Sequence, residues 1–309
     1  MLQQTRVEAV RPYFQRFITE LPDIQSLAEC PEEKLLKLWE GLGYYNRVRN
    51  MQEAAKTVKD EYNGRLPEDY QALLSLKGIG SYTAGAIASI AYGEKVPAVD
   101  GNVLRVISRI TESTEDISRQ SVRRKIEQQV SQIMPSDCPG DFNQALMELG
   151  ACVCVPNGAP KCDACPLRTV CLAEKSGAWA SLPVKEAKKP RRIEEKTVFF
   201  LQCGGQYAVR KRPETGLLAG LWELPNVEGT LDAQQALALL DSWGLVPEEL
   251  TRTRERTHIF THVEWRMRCY DIRVSMPADS FTWVSGTRFQ QDIALPTAFR
   301  IFWQPEDAE

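Results

Sequence analysis

The sequence predicts a two-domain protein: an all-α domain over residues 1–180, a linker over 181–196, and a smaller α+β domain over 197–309. Three observations carry this. Apolar side chains up to residue 175 recur every three or four positions, the spacing of one helix face. The run from Ser181 to Lys196, S-L-P-V-K-E-A-K-K-P-R-R-I-E-E-K, is charged, proline-bearing and poor in large apolar residues, which is linker composition. Beyond it the hydrophobic period drops to two.

Val7, Val10, Phe14 and Phe17 mark one helix face, with Pro12 predicting a kink. Leu35, Leu36, Leu38 and Trp39 begin another helix, which Gly41 and Gly43 close. Ala84 to Tyr92 is apolar on nearly every side and reads as a buried central helix. Asp100 stands where an N-cap belongs, with Val103, Val106, Ile107 and Ile110 as the buried stripe behind it. Past the linker, Val198–Leu201 and Tyr207–Val209 flank Gly204-Gly205, a hairpin signal. Ala233 to Leu240 is the clear helix of the second domain. Trp265 and Met267 alternate with arginines, and Tyr270, Ile272 and Val274 continue in the opposite phase, which predicts a bulge.

Bulk composition narrows the function classes. A net charge of −3 means that any nucleic-acid binding must come from a locally organised face rather than from overall basicity. No stretch approaches the roughly 20 apolar residues of a membrane span, and no secretory signal opens the sequence. The expectation is a protein without a membrane partner, located in the cytoplasm, or at the nucleoid in a bacterium. Of nine cysteines, five crowd between Cys152 and Cys171, which favours metal over disulfides.

Leu76 to Gly85 reads L-K-G-I-G-S-Y-T-A-G, and Asp100 comes soon after in V-D-G-N. A turn with Gly78 and Gly80 around one apolar residue lets backbone N–H groups approach a phosphate, and a helix opened by Thr83 would add its positive end. A carboxylate so close to a phosphate grip suggests chemistry on a nucleotide. The plain alternative is a glycine-rich connection between core helices. Cys154, Cys162, Cys165 and Cys171, with gaps of seven, two and five residues, suit zinc or an iron–sulfur cluster, and the spacing does not choose. Cys30, Cys138, Cys203 and Cys269 are scattered and read as small buried side chains.

With these motifs placed, the chain resembles the helix-hairpin-helix DNA glycosylases. M-L-Q-Q-T at the start, G-L-G-Y-Y-N-R at Gly41 to Arg47 and F-N-Q-A-L-M-E-L-G-A at Phe142 to Ala151 resemble the MutY type. The resemblance implies a [4Fe–4S] cluster on Cys154, Cys162, Cys165 and Cys171, in a loop spanning 152–171. The family's usual first gap is six residues, so this sequence leaves Cys152 and Cys154 as alternatives for the first ligand. The implied activity is monofunctional base excision repair: hydrolytic removal of adenine mispaired with 8-oxoguanine or guanine. The implied partner is double-stranded DNA carrying that mispair, bound by a monomer.

The resemblance also assigns residues. Asp100 matches the carboxylate that steadies the sugar cation, Asn102 and Tyr82 line the same pocket, and Gln144 matches a group that hydrogen-bonds the adenine edge. Tyr82 stands where endonuclease III-type enzymes carry a lysine, and a tyrosine cannot form the Schiff base that cuts the strand. Lys77, Gly78 and Gly80 read as phosphate contacts. Gln4 and Thr5 match residues that probe the helix near the lesion. Leu42 and Tyr44 match wedges beside 8-oxoguanine, with exposure on a glycine-rich loop expected for both. The family's glutamate that protonates adenine falls two residues ahead of Met1. A longer native chain, with little glycosylase activity in the 309-residue form, is therefore the expectation.

Gly216 to Pro225, G-L-L-A-G-L-W-E-L-P, resembles the start of the Nudix signature. The acids between 224 and 247 are only Glu228, Asp232 and Asp241, too few for a magnesium helix. The resemblance implies a Nudix-like scaffold that reads 8-oxoguanine, with Phe260, Thr261 and His262 matching the family's F-S-H loop. A threonine hydroxyl both donates and accepts, so it can distinguish 8-oxoguanine from guanine. Three other readings compete: an endonuclease III-like lyase, a mismatch-binding remnant without catalysis, and a Nudix pyrophosphatase.

Overall fold

A computed structural model describes residues 1, 2, 5, 7–187 and 190–303. In chain order the helices are α1 (Val7–Glu20), α2 (Ile24–Glu29), α3 (Glu32–Leu38), α4 (Asn46–Glu61), α5 (Tyr70–Ser75), α6 (Ser81–Tyr92), α7 (Gly101–Ile110), α8 (Gln120–Ile133), α9 (Pro139–Glu148) and α10 (Leu172–Ser176). Then come strands β1 (Arg192–Cys203), β2 (Gln206–Lys211), β3 (Trp222–Glu223) and β4 (Asn226–Glu228), and after them α11 (Ala233–Ser242). Last are β5 (Pro247–Ile259), β6 (Val263–Val274), β7 (Thr282–Ser285), α12 (Gly286–Gln291) and α13 (Thr297–Arg300). An all-α region ahead of an α+β region is what the periodicity predicted. Pro12 lies inside α1, which runs unbroken through it.

The chain packs as two compact units, Glu53–Lys188 and Met1–Gln52 with Lys189–Glu309. The core of the first is the stripe of α7, with Val103, Leu104, Val106 and Ile107 packed against Val122, Ile126 and Val130 of α8 and Leu146 of α9. Each such aliphatic side chain contributes about 1.5–3 kcal/mol on full burial. Helix α6 opens at Ser81 with Gly80 as its N-cap, two residues ahead of the expected Thr83, because Gly80 is already extended. Its burial is one-sided: Ala84, Gly85, Ala88 and Ser89 are buried, whereas Ile90 and Tyr92 face solvent. Small residues let the inner face pack closely, which apolarity alone did not reveal.

In the second unit the strand order is β3-β2-β1-β6-β5, with β4 on β1 and β7 on β2. The Gly204-Gly205 hairpin joins β1 and β2, which pair Gln202 with Tyr207. Central β1 runs parallel to β6 from Arg192–Val263 to Gln202–Arg273. The charged stretch 192–196, expected as linker, is therefore strand. Two of its charges are met across the sheet: Glu194 accepts from Trp265 Nε1 at 2.7 Å, and buried Lys196 lies with Nζ 4.8 Å from the Trp265 ring. The expected bulge in β6 is absent, and the register irregularities fall on its partner β5. Strand β6 changes phase because it is covered on different faces along its length. Trp265, Met267 and Cys269 pack with α12 and α13, whereas Tyr270, Ile272 and Val274 pack with α11. Residues 1–52 contribute their own cluster, in which Phe17, Leu35, Trp39, Leu42 and Val48 pack with Leu221 and Ala294.

Candidate functional site

Within Glu53–Lys188 the site is built on the first turn of α7. Asp100, in extended backbone, caps that helix, and its Oδ1 accepts from the N–H groups of Asn102 and Val103 at 2.8 Å each. Its Oδ2 accepts from Asn102 Nδ2 at 2.8 Å. Three donors fix the carboxylate's direction, so one residue caps the helix and presents a preorganised negative group. Tyr82, on α6, lies in the same neighbourhood: burial first, then the Asp100 charge, pushes its phenol above the ordinary value. The group is thus held as a neutral hydroxyl, and it donates to Met147 Sδ at 3.7 Å. Gln144, also on α9, is exposed, with Nε2 only 3.4 Å from Gly140 O, so its amide is accessible to a ligand.

The hairpin sits between α5 and α6. Lys77, Gly78 and Gly80 are all exposed, and Gly78 adopts φ +79°, a left-handed conformation that glycine supplies without strain. With Gly80 as N-cap, the first N–H groups of α6 lack intrahelical acceptors, as an anion site requires.

Three residues that matter here escaped the sequence reading. Arg105 is buried, and its Nη2 donates to Asn102 Oδ1 and Gly150 O at 2.8 Å each, while Nε donates to Cys154 O at 2.8 Å. Arg109, one turn on, is also buried and donates through Nη1 to Cys154 Sγ at 3.2 Å and Val155 O at 3.1 Å. Asn143 is fully buried, donating to Ser89 Oγ and Val96 O and accepting from Ala98 N, which ties α9 to the segment leading into Asp100. Gly150 lies in a π-helical turn (Leu149–Val153), and a Cβ there would stand 2.5 Å from Asn102 Cβ. Only a glycine admits that approach. The one signal in the sequence was two arginines spaced i, i+4 beside an apolar stripe, a pattern that normally reads as a solvated edge.

Cys154, Cys162, Cys165 and Cys171 line one pocket with Arg109 and Arg168, while Cys152 is exposed and outside that lining. Burial, then Glu174 and the neighbouring thiols, pushes the Cys162 thiol up. Among the described residues no group of three or more His, Cys, Asp or Glu side chains stands in a metal-holding arrangement. The chemistry of the donor set nevertheless fits a soft metal centre: four thiols around one pocket and a guanidinium N–H directed at one sulfur. Of the scattered cysteines, Cys30 and Cys269 are buried as expected, but Cys138 is exposed and Cys203 half-buried.

Within Met1–Gln52 and Lys189–Glu309, Phe260, Thr261 and His262 form the tight β5–β6 turn, closed by Phe260 N donating to Val263 O at 2.8 Å. Phe260 packs edge-on between His258 and Trp265, with ring centroids 4.6 and 4.8 Å away, while Thr261 and His262 are exposed. Tyr44 is 53% exposed, and its hydroxyl lies 3.2 Å from Thr261 Oγ1. Both border a cavity of about 750 Å³ that Lys196 and Arg212 also line. Tyr44 has φ +49°, rare for a bulky residue, within a run that includes Gly41 at +96° and Gly43 at +68°. Arg47 lies over both Tyr44 and Trp39, and Trp39 Nε1 donates to Gly43 O at 3.0 Å. Leu42 departs from expectation. It is 7% exposed and belongs to the apolar cluster, because alternate residues of this turn face inward. Thr5 is half-buried, and Gln4 lies outside the described residues. Glu223, in the Nudix-like segment, is consumed by ion pairs with Arg210 and Arg212, and Asp232 caps α11.

Comparison with known proteins agrees with an all-α region followed by an α+β region. Residues 1–132 match the HhH-GPD superfamily of base excision DNA repair proteins, and residues 197–304 match the NUDIX domain. Adenine DNA glycosylase of Homo sapiens is 33% identical over 350 residues, covering 96% of this chain and 64% of the human protein. The chain therefore spans slightly less than two thirds of that relative. The Mus musculus adenine DNA glycosylase is 33% identical, with 98% of this chain and 70% of its own covered. The Schizosaccharomyces pombe protein of the same name is 31% identical, covering 92% and 74%. Among solved structures, a thermostable thymine-DNA glycosylase is 28% identical at TM-score 0.50, covering 57% of this chain and 80% of its own. A non-covalent endonuclease III–DNA complex gives 27% identity and TM-score 0.50, with 57% and 80% covered.

Proposed function

The chain belongs to the adenine DNA glycosylase family, and we propose that it hydrolyses the N-glycosidic bond of adenine mispaired with 8-oxoguanine or guanine in double-stranded DNA. The observation that carries this reading is the Asp100 carboxylate, held by three hydrogen bonds beside the neutral Tyr82 hydroxyl.

The bond to be broken joins deoxyribose C1′ to adenine N9, and it is unreachable while the base is stacked, so the adenosine must leave the helix. The bonding pair departs with the base, which takes up a proton, and a cation is left on the sugar. A fixed carboxylate stabilises that cation until water adds to C1′, the electrostatic logic of glycoside hydrolysis. Asp100 fills that role, Asn102 holds its direction, and Gln144 offers an amide to the adenine edge. Lys77, Gly78 and Gly80 grip phosphate. With tyrosine at 82 the pocket presents no amine there, so the chain releases base without efficient strand cutting. Thr261, on the exposed β5–β6 turn shaped by Phe260 and His262, and Tyr44, on the 41–44 turn, read 8-oxoguanine, and Thr5 contacts DNA near the lesion. Buried Leu42 supports this loop from beneath. The protein acts as a monomer in this reading.

Cys154, Cys162, Cys165 and Cys171 would hold a [4Fe–4S] cluster, Cys154 rather than exposed Cys152 being the first ligand. Bound there, such a cluster would cross-link the loop and fix its fold. The chain's own contribution is the pair Arg105 and Arg109, which holds that loop onto α7.

The test is single-turnover adenine release from a duplex with adenine opposite 8-oxoguanine. Asp100→Asn keeps a good N-cap and is expected to slow release by about 10²–10³-fold while duplex binding persists. Release at an unchanged rate would overturn the proposal.

A further inference from the structure

Glu40 is a buried carboxylate immediately before the lesion-reading loop, and the chemistry at Asp100 makes no use of it. It is 8% exposed and lies two residues past the end of α3. Its Oε1 accepts from Leu295 N at 2.9 Å, and its Oε2 pairs with Lys37 Nζ at 2.9 Å and Arg300 Nη1 at 3.2 Å. Lys37 also donates to Ile293 O at 2.9 Å. One side chain thus ties the end of α3 to both flanks of the segment 293–300.

The turn immediately after Glu40 needs such a tie. Gly41, Gly43 and Tyr44 all have positive φ, at +96°, +68° and +49°. The two glycines adopt this conformation without strain, but Tyr44 is a bulky residue in the left-handed region and persists there only when its surroundings hold it. One end meets Thr261 through the single 3.2 Å contact of the Tyr44 hydroxyl. The other end is Glu40. The segment it grips continues into Pro296 and Thr297, which line the same cavity as Tyr44 and Thr261.

We propose that Glu40 is a positioning residue for lesion specificity, clamping the 41–44 turn to residues 293–300 so that Tyr44 stands against Thr261 where 8-oxoguanine is read. The inference rests on Thr261 being the reader of 8-oxoguanine. Neither Glu40 nor its partners touch DNA in this scheme. Their effect is on discrimination, through the geometry of Tyr44.

The experiment is a double-mutant cycle in the whole 309-residue chain. Equilibrium binding is measured to two duplexes, with 8-oxoguanine or guanine opposite a non-hydrolysable adenosine analogue. Glu40→Gln keeps an acceptor for Leu295 N but loses both ion pairs. It is expected to lower the preference for 8-oxoguanine by about three- to tenfold, the usual size of coupling between linked groups. In a Thr261→Val background the same substitution is expected to change nothing further. Arg300→Met, at a side chain 55% exposed and safe for folding, should shift the preference in the same direction by less. Equal weakening of both duplexes would mark Glu40 as merely structural and overturn the inference. So would an unchanged preference in Glu40→Gln and Arg300→Met while Thr261→Val loses it. If Thr261→Val itself leaves the preference intact, the recognition reading fails and the inference falls with it.

Discussion

Around Asp100 the polar groups are locked, whereas around Tyr44 and Thr261 they are left reachable. The carboxylate takes three hydrogen bonds of 2.8 Å, and Asn102, which supplies two of them, is itself held by buried Arg105. Between the 41–44 turn and the β5–β6 turn, Tyr44 and Thr261, both exposed, share one 3.2 Å contact. A group that must stabilise a short-lived cation gains from having no reorganisation left to do. A group that must sense one extra oxygen and one extra N–H on an intact base gains from being open to exchange partners. Under the proposed reaction, rigidity is therefore concentrated where charge would develop. At the turn proposed to read 8-oxoguanine, backbone bonds close the β5–β6 connection, and Tyr44 is held from beneath by the Arg47 contacts and Glu40.

Unlocking the first region should have the greatest consequence. Arg105→Gln leaves Gly150 O, Cys154 O and Asn102 Oδ1 short of their donor, which should destabilise the protein by about 3 kcal/mol. Calorimetric unfolding measures that loss. Adenine release should fall well beyond the loss of folded protein, because Asn102 no longer aims the carboxylate. If stability drops while the rate per folded molecule holds, Asp100 does not depend on this brace and the contrast between the regions weakens.

A more moderate change is expected at the turn. Thr261→Val keeps the shape of the side chain and removes the hydroxyl, so discrimination between 8-oxoguanine and guanine should fall by up to about tenfold, the net worth of one hydrogen bond. Stability should not change, since Thr261 is exposed. Competitive binding of the two duplexes reads it directly. A collapse of affinity for both would mean that Thr261 holds the turn rather than reads the base.

The two regions also differ in how much of them the sequence disclosed. Asp100 was legible because an N-cap before an apolar stripe is a local pattern, and the cysteine spacing was legible for the same reason. The division into α and α+β regions came from period alone. What stayed hidden depends on contacts distant in sequence. Arg105, Arg109 and Asn143 look like ordinary polar residues until the π-helical turn and the cysteine loop close over them. The strand at 192–196 was masked by its charges, two of which, Glu194 and Lys196, meet Trp265 on β6 more than sixty residues away. Leu42 was misplaced because alternate residues of a turn with several positive φ angles point in directions that no simple period encodes.

Tyr82 offers a smaller, pH-resolved probe of the locked region. Burial and the Asp100 charge raise its phenol above the ordinary 10.0. A folded value above the unfolded one means that its contribution to stability is complete below pH 10.0 and is lost as pH climbs through the folded value. The ratio of wild-type to Tyr82→Phe release rates should therefore stay constant up to that pH and change only above it. A break in the ratio near neutrality would mean that this hydroxyl titrates there, against the raised value, because any group titrating alike in both proteins cancels from the ratio.

Thr261→Ser should change least, and that near-silence is informative. The substitution keeps the hydroxyl that faces Tyr44 and removes a methyl from an exposed turn, where burial supplies little. If the turn reads by hydrogen bonding, discrimination should stay within about twofold of wild type, against the roughly tenfold loss expected for valine. Should serine instead lose as much as valine, the methyl would be acting as packing against the lesion. The reachable region would then resemble the locked one, relying on a fixed shape rather than an exchangeable hydroxyl.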